Sequence, residues 1–141
     1  MLTLKLITEE TERVIKGLEK KHFQGAKEAV EKAIEIDKKR RETQTRLDAT
    51  LAESKKFAAQ IGSLMKQGLK EEAEAAKAEV AKLKDLSNTL TAELKEAEQA
   101  LTLHLCTIPN IPNDDVPEGA SAEDNVVVKE GGVIPELGEE P

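Results

Sequence analysis

The sequence predicts an all-α protein, with a short N-terminal helix followed by a long antiparallel two-helix coiled-coil hairpin and an extended, proline-rich tail that contains one strand. All five prolines lie after residue 108, so nothing before that point forces a helix to end. Lys, Glu, Ala and Leu dominate, and the two Phe are the only aromatic residues, a composition typical of long helices. Apolar residues also recur at alternating spacings of three and four, the pattern of a coiled coil.

The N-terminal segment is the first element. Residues 1–7 alternate loosely between apolar and polar side chains, which predicts an extended start. Thr8 is a candidate N-cap because acidic residues follow it, and acids favour the positive end of a helix dipole. We therefore expect a short helix from there to about Lys21, with a turn over residues 22–25.

The hairpin is expected over about residues 26–105, with its tip at 66–68, where Gly68 interrupts the pattern. In the first helix the heptad selects Val30, Ala33, Asp37, Arg40, Gln44, Leu47, Leu51, Ser54, Ala58, Ile61 and Met65. In the second helix it selects Leu69, Ala73, Ala76, Val80, Leu83, Ser87, Leu90, Leu94, Ala97, Leu101 and His104. Folding the two helices antiparallel places Leu51 opposite Leu83. Arms of this length reach about 60 Å at 1.5 Å per residue.

Three polar residues interrupt the predicted seam near the base of the hairpin: Asp37, Arg40 and Gln44. Charged and amide side chains are poor coiled-coil seam residues. Either the heptad changes register there, or another part of the protein packs against this stretch.

The tail differs from the helices in charge and in composition. Residues 1–105 hold 20 basic and 19 acidic residues, whereas residues 106–141 hold one basic and nine acidic. The prolines favour an extended course over Ile108–Pro112, and Asn125–Lys129 predicts a strand with no partner in this chain. We expect residues 1–105 to form a helical arm, and residues 106–141 to be a linker and the truncated start of a further domain.

The sequence offers no catalytic constellation. His104 and Cys106 could supply half of a metal site, but further soft ligands are absent, and a histidine facing the hairpin seam is the preferred interpretation. We therefore expect no catalytic residues, no metal and no cofactor in this chain. A single Cys fits a reducing compartment, and no apolar run approaches the roughly 20 residues that span a bilayer, which predicts a cytoplasmic protein with no membrane partner.

Four lysines form the most informative surface pattern. With Leu51 at heptad position a, Lys55, Lys70, Lys77 and Lys84 all occupy position e, and e positions face one another in an antiparallel pair. No acid occupies an e position between residues 55 and 84, so an anionic partner would relieve their repulsion. The alternative is a chance stripe on a lysine-rich coil. Without interleaved aromatic residues, any nucleic acid would be bound through its backbone and shape.

Several motifs resemble those of bacterial seryl-tRNA synthetases. Met1–Ile7 is similar to their opening M-L-D-x-K-x-I, and Asp37–Gln44 to their D-x-x-R-R-x-x-Q. Gln60–Gly62 resembles the I-G that precedes the hairpin tip. Most specific are Ile108–Gly119 and Asp124–Val128, which resemble the junction I-P-N-x-P-x-x-x-V-P-x-G…D-N-x-x-V. The resemblance runs in order from residue 1 to about residue 130.

This resemblance implies the N-terminal tRNA-binding arm of a serine–tRNA ligase, joined to the start of its class II catalytic domain. Such an arm holds the long variable arm of serine tRNA and reaches across a homodimer to the tRNA on the other subunit. ATP and Mg²⁺ would serve the parent enzyme, whereas the fragment alone would be inactive because the catalytic motifs are absent. The four lysines are then the candidate tRNA-binding residues.

Two other classes of protein stay open. A structural antiparallel coil, such as a prefoldin-like chaperone subunit, would also be a helical hairpin, but it gives no reason for the proline-rich junction. An enzyme in its own right is disfavoured by the absence of a catalytic constellation.

Overall fold

The structure, a computed structural model, describes residues 2–133 and is helical with a long hairpin. Helices α1 (Leu4–Glu9) and α2 (Thr11–Lys20) precede the two hairpin helices α3 (Ala26–Lys66) and α4 (Lys70–Thr107), and a 3₁₀ turn covers Ala122–Asp124. The all-α hairpin is therefore confirmed. Met1 and residues 134–141, which the sequence assigned to the opening motif and to the end of the tail, lie outside the described residues.

The predicted strand over Asn125–Lys129 is wrong, because the structure has no strand within residues 2–133. Its three consecutive valines, Val126 to Val128, are largely exposed. A strand needs a neighbouring strand to take up its backbone hydrogen bonds, and the described part of the chain supplies none.

The N-terminal segment begins as a helix rather than as an extended chain. The Oγ1 of Thr3 accepts a hydrogen bond from the backbone N–H of Leu6 at 3.3 Å, so Thr3 is the N-cap of α1. Thr8 lies inside that helix and donates back to the carbonyl of Leu4. The helical course lets Ile7 become completely buried, an outcome that the loose alternation of residues 1–7 did not indicate.

The hairpin reverses at the predicted tip. Gly68 has a φ of +78°, the left-handed conformation that costs glycine least. The N–H of Leu69 donates to the carbonyl of Leu64, and that of Gly68 to the carbonyl of Met65. These two bonds form a Schellman motif, which satisfies the last carbonyls of α3 and turns the chain into α4.

Helix α2 ends in the same motif without a glycine. His22 occupies the left-handed position with a φ of +57°, and the N–H of Phe23 donates to the carbonyl of Leu18 at 3.0 Å. The left-handed conformation is unfavourable for a residue with a Cβ. The surrounding turn therefore holds His22 in a conformation that glycine would adopt more readily.

A buried apolar cluster lies at the base of the hairpin, where α1 and α2 pack against α3. Its members are Ile7, Val14, Leu18, Ala26, Val30, Ala33 and Ile108. Fully burying a Val, Leu or Ile side chain stabilises the folded state by about 1.5–3 kcal/mol. At the base, side chains are buried between α3 and the N-terminal helices α1 and α2. In the outer hairpin, the seam is buried between α3 and α4.

The seam of α4 follows the predicted heptad closely. Its buried residues, Ala73, Ala76, Leu90, Ala97 and Leu101, all belong to the predicted series, and Val80, Leu83, Ser87, Leu94 and His104 are half-buried. Only Leu69, at the tip, is exposed among the predicted positions.

The seam of α3 departs from the prediction in the outer half of the hairpin. Three predicted seam residues, Leu51, Ala58 and Met65, are exposed, with exposed fractions of 42% for Leu51 and 51% for Met65. Thr50 is buried, and Phe57 and Leu64 are half-buried. Each of these three residues directly precedes one of the exposed residues, so α3 presents the neighbouring face to α4. The rotation turns the large Phe57 toward α4 in place of the small Ala58, and the polar Thr50 in place of Leu51.

Candidate nucleic-acid interface

Three of the four candidate lysines form a row on α4. Lys70, Lys77 and Lys84 are seven residues apart, so at 1.5 Å per residue their Cα atoms are separated by about 10.5 Å along the helix. All three are exposed. Because Ala73, Ala76 and Val80 face α3, heptad geometry places the lysines along one flank of the seam.

The lysines differ in their neighbours. The Nζ of Lys77 lies 2.7 Å from Oε1 of Glu74, an acid one turn earlier on α4. Within the part of the chain that the structure describes, neither Lys70 nor Lys84 forms an ion pair, and Lys55 forms none either. Glu74 is at heptad position b, so the absence of acids from the e positions does not reveal this pairing.

Lys55 lies on α3 and is also exposed. On the surface of a helix, heptad position e lies beside position a. The rotation of α3 turns its position a, which includes Leu51, away from α4. Lys55 is therefore turned further from the α4 lysines than a regular heptad would place it. The structure brings Lys70, Lys77 and Lys84 into one row and leaves Lys55 at its margin.

The rotation also places apolar side chains on the lysine flank. Leu51 and Met65 lie on the side of α3 that is next to position e, and Leu69 is 41% exposed at the tip. The outer hairpin thus combines a row of positive charges with exposed aliphatic surface. The seven-residue spacing of Leu51, Ala58 and Met65 is visible in the sequence, but a regular heptad predicts that these residues are buried in the seam.

The opposite flank of the outer hairpin has different chemistry. Thr50, Phe57 and Leu64 are turned toward the seam there, and the g positions of α4 carry Glu72 and Glu79. Glu79 is half-buried, and its Oε1 lies 2.7 Å from Nζ of Lys82. The two flanks therefore present opposite charges to a partner approaching the rod from the side.

Nearer the base, where polar residues interrupt the predicted seam, the carboxylate of Asp37 binds two arginines. Asp37 is only 1% exposed, and its Oδ1 accepts hydrogen bonds from Nε and Nη2 of Arg40 at 3.0 and 2.9 Å. Its Oδ2 accepts from Nε of Arg41 at 2.6 Å. Burial opposes ionisation of Asp37, but the hydrogen bonds and charges of Arg41 and Arg40 outweigh it and hold the pKa below its usual 3.8. A charged carboxylate can thus remain in the seam.

His104 and Cys106 do not form a common site. The Nε2 of His104 lies 2.8 Å from the carbonyl oxygen of Ala29 on α3, as expected for a histidine facing the seam, whereas Cys106 is exposed. Among residues 2–133, no group of three or more His, Cys, Asp or Glu side chains is arranged to hold a metal ion. None of the helices described here is long and apolar enough to cross a membrane.

Comparisons with known proteins identify relatives that match most or all of this chain. The family model of the seryl-tRNA synthetase N-terminal domain matches residues 1–112. A serine–tRNA ligase of Rhizobium etli is 36% identical over 141 residues, which cover 100% of this chain and 32% of that protein. A serine–tRNA ligase of Zymomonas mobilis is 34% identical over 125 residues, covering 89% and 29%.

A solved structure agrees with these relatives. The seryl-tRNA synthetase from Pyrococcus horikoshii, crystallised in complex with ATP, superposes with a TM-score of 0.79 and 28% sequence identity. The match covers 89% of this chain and 28% of that chain. The chain therefore spans about a third of the length of the relatives that it matches.

Proposed function

This chain belongs to the family of the seryl-tRNA synthetase N-terminal domain, and we propose that its hairpin docks the long variable arm of serine tRNA. The docking would hold the tRNA so that the parent enzyme can attach serine to its 3′ end with ATP. The lysine flank of the outer hairpin, with Lys70, Lys77, Lys84 and Lys55, would meet the phosphates.

The observation that carries this proposal is the difference between the two flanks. Lys70 and Lys84 have no acidic partner within the described residues, although the other flank of the same helix is acidic. In a coiled coil that serves stability alone, residues of opposite charge are expected to flank the seam and form salt bridges. Positive charges along one side of a rod attract a polyanion and release its counterions on binding.

The exposed apolar residues support the same face. Leu51 and Met65 add aliphatic surface beside the lysines, whereas the described residues offer no exposed aromatic ring on which bases could stack. Recognition would then depend on the shape and backbone of the RNA rather than on its base sequence. Double-stranded RNA is commonly recognised in this way.

The remaining features of the parent follow from the same proposal. Residues 1–105 would be the arm, and residues 106–141 the linker and the beginning of the class II catalytic domain. ATP and Mg²⁺ would belong to that domain, and this fragment alone would not activate serine. The parent would act in the cytoplasm as a homodimer, with each arm reaching to the tRNA on the other subunit.

The test is a comparison of two RNAs with this 141-residue chain. Serine tRNA should bind at least about tenfold more tightly than the same tRNA with its variable arm shortened to a few nucleotides, a difference of about 1.4 kcal/mol. Equal binding of both RNAs would contradict docking on the long arm. Absence of binding to either RNA would favour a structural coiled coil instead.

A further inference from the structure

The segment that follows α4 is packed against the N-terminal helices. Ile108 is buried in the core at the base of the hairpin, and Ile111 packs against that core. We call residues 108–114 the strap. It connects the end of α4 to a helix about ninety residues earlier in the chain.

Polar contacts hold the strap on both sides of Ile111. The backbone N–H of Leu2 donates to Oδ1 of Asn110 at 2.9 Å, and Nζ of Lys21 donates to the carbonyl of Asn110 at 2.9 Å. Further along, Nη2 and Nε of Arg13 donate to the two carboxylate oxygens of Asp114 at 3.1 and 3.4 Å. Lys20 donates to the Asp114 carbonyl at 3.3 Å.

The apolar contact at the centre of the strap requires a glycine. A Cβ placed on Gly17 of α2 would lie 2.8 Å from both Cβ and Cγ2 of Ile111, closer than carbon atoms can approach. Glycine in a helix interior costs about 0.5–1 kcal/mol relative to alanine. The missing side chain at residue 17 leaves the space that Ile111 fills.

We propose that the strap is a docking device that fixes the direction in which the chain leaves the base of the hairpin, with Gly17 as the positioning residue that admits it. The polypeptide after residue 114 then begins at a fixed position relative to the hairpin, which a flexible linker would not provide. This inference is independent of the RNA-binding proposal, because no step of it involves RNA.

The apolar contact, rather than the ion pair, carries the docking. The side chains of Arg13 and Asp114 are 46% and 72% exposed, and water screens the attraction between charges that are this exposed. Ile111, in contrast, is half-buried in the space above Gly17. Arg13→Gln should therefore loosen the strap less than a change at residue 17 or 111.

The experiment measures the position of the strap relative to the hairpin. Spin labels at Gln99→Cys and Val116→Cys, in a Cys106→Ser background, report the distance from α4 to the residue just past the strap. The labelled chain and the same chain carrying Gly62→Ala should both give one narrow distance distribution. Gly62 is the matched control, because it also lies inside a helix but has nothing within 4 Å of the added Cβ.

Gly17→Ala should broaden or displace that distribution while helix content stays unchanged. Exchange of the Leu2 amide proton should accelerate at the same time, since its acceptor is on the strap. Ile111→Ala, which leaves α2 unchanged, should loosen the strap as well and so separates docking from an effect on α2. A broad distribution in the labelled chain without these substitutions, or the same narrow one in Gly17→Ala and Ile111→Ala, would overturn the inference.

Discussion

The Nε2 of His104 lies 2.8 Å from the carbonyl oxygen of Ala29, which joins the two long helices across the base of the hairpin. A carbonyl oxygen can only accept, so Nε2 carries the proton that is donated. Continuing the predicted pairing of Leu51 with Leu83 toward the base places His104 beside Val30. The observed contact is one residue away, which supports the antiparallel register at this end of the rod.

Removing this hydrogen bond should destabilise the hairpin. His104→Ala is expected to lower the free energy of unfolding by about 1 kcal/mol, because it removes the hydrogen bond that joins the His104 ring of α4 to the Ala29 carbonyl of α3. Leu103→Ala is the control, since Leu103 is 71% exposed and should change stability by less than about 0.5 kcal/mol. Urea unfolding followed by circular dichroism measures both. Equal effects would show that the contact contributes nothing.

The second prediction concerns the buried carboxylate of Asp37. Asp37→Asn should lower the free energy of unfolding at pH 7 by about 2 kcal/mol, because Arg40 and Arg41 lose a charged acceptor. Asp48→Asn should cost much less, because the Asp48 carboxylate is exposed and accepts a hydrogen bond from the neutral side chain of Gln44.

Stability should also depend on pH through Asp37. Its pKa is lowered in the folded protein, so its contribution is fully present above the ordinary value of 3.8 that applies to the unfolded chain. That contribution is lost as the pH falls through the lower folded pKa. The difference in unfolding free energy between the unmodified chain and Asp37→Asn should therefore shrink below about pH 4. A difference that stays constant from pH 7 to pH 3 would contradict this account.

The rotated seam of α3 can be tested with neighbouring residues near the tip. Leu64→Ala should cost about 1–2 kcal/mol, because Leu64 faces α4, whereas Met65→Ala should cost less than about 0.5 kcal/mol. A regular heptad predicts the opposite order. Thermal or urea unfolding of the two variants therefore decides between the two faces.

The two Schellman turns predict effects of opposite sign. Gly68→Ala should lower the free energy of unfolding by about 1 kcal/mol, because alanine is disfavoured at a φ of +78°. His22→Gly should raise it by several tenths of a kcal/mol, since glycine relieves the φ of +57° at the end of α2. If His22→Gly destabilises the chain instead, the side chain of His22 makes a contribution that backbone strain does not describe.

Much of this architecture could be predicted from residue spacing. The α4 seam was predictable because Leu, Ala and Val occupy its a and d positions with few competitors. On α3, however, Phe57 and Leu64 stand beside the predicted series, and the two faces differ by the burial of a few side chains. Such a choice depends on the packing partner, which spacing alone does not reveal.

Other features depend on contacts between distant parts of the chain. The extended course before the junction prolines was predictable from proline itself, but the fit of Ile111 against Gly17 joins residues about ninety positions apart. The lysine row on α4 was visible as a seven-residue repeat. The ion pair between Lys77 and Glu74 was not visible in this repeat, because Glu74 lies outside the heptad positions that face the partner helix.

The most direct test of RNA docking on the lysine flank is a salt titration of serine tRNA binding with two charge-matched variants of this chain. Lys84→Ala removes a lysine of the proposed face, and Lys82→Ala removes one that pairs with Glu79 toward the other flank. Log affinity should fall against log salt with a slope of about −0.7 to −0.9 for each phosphate contacted. Lys84→Ala should weaken binding and reduce that slope by up to about one unit, whereas Lys82→Ala should leave the slope nearly unchanged. Equal changes in the two variants would contradict the proposal, because the row of lysines would then be no more than a solvated face of the coil.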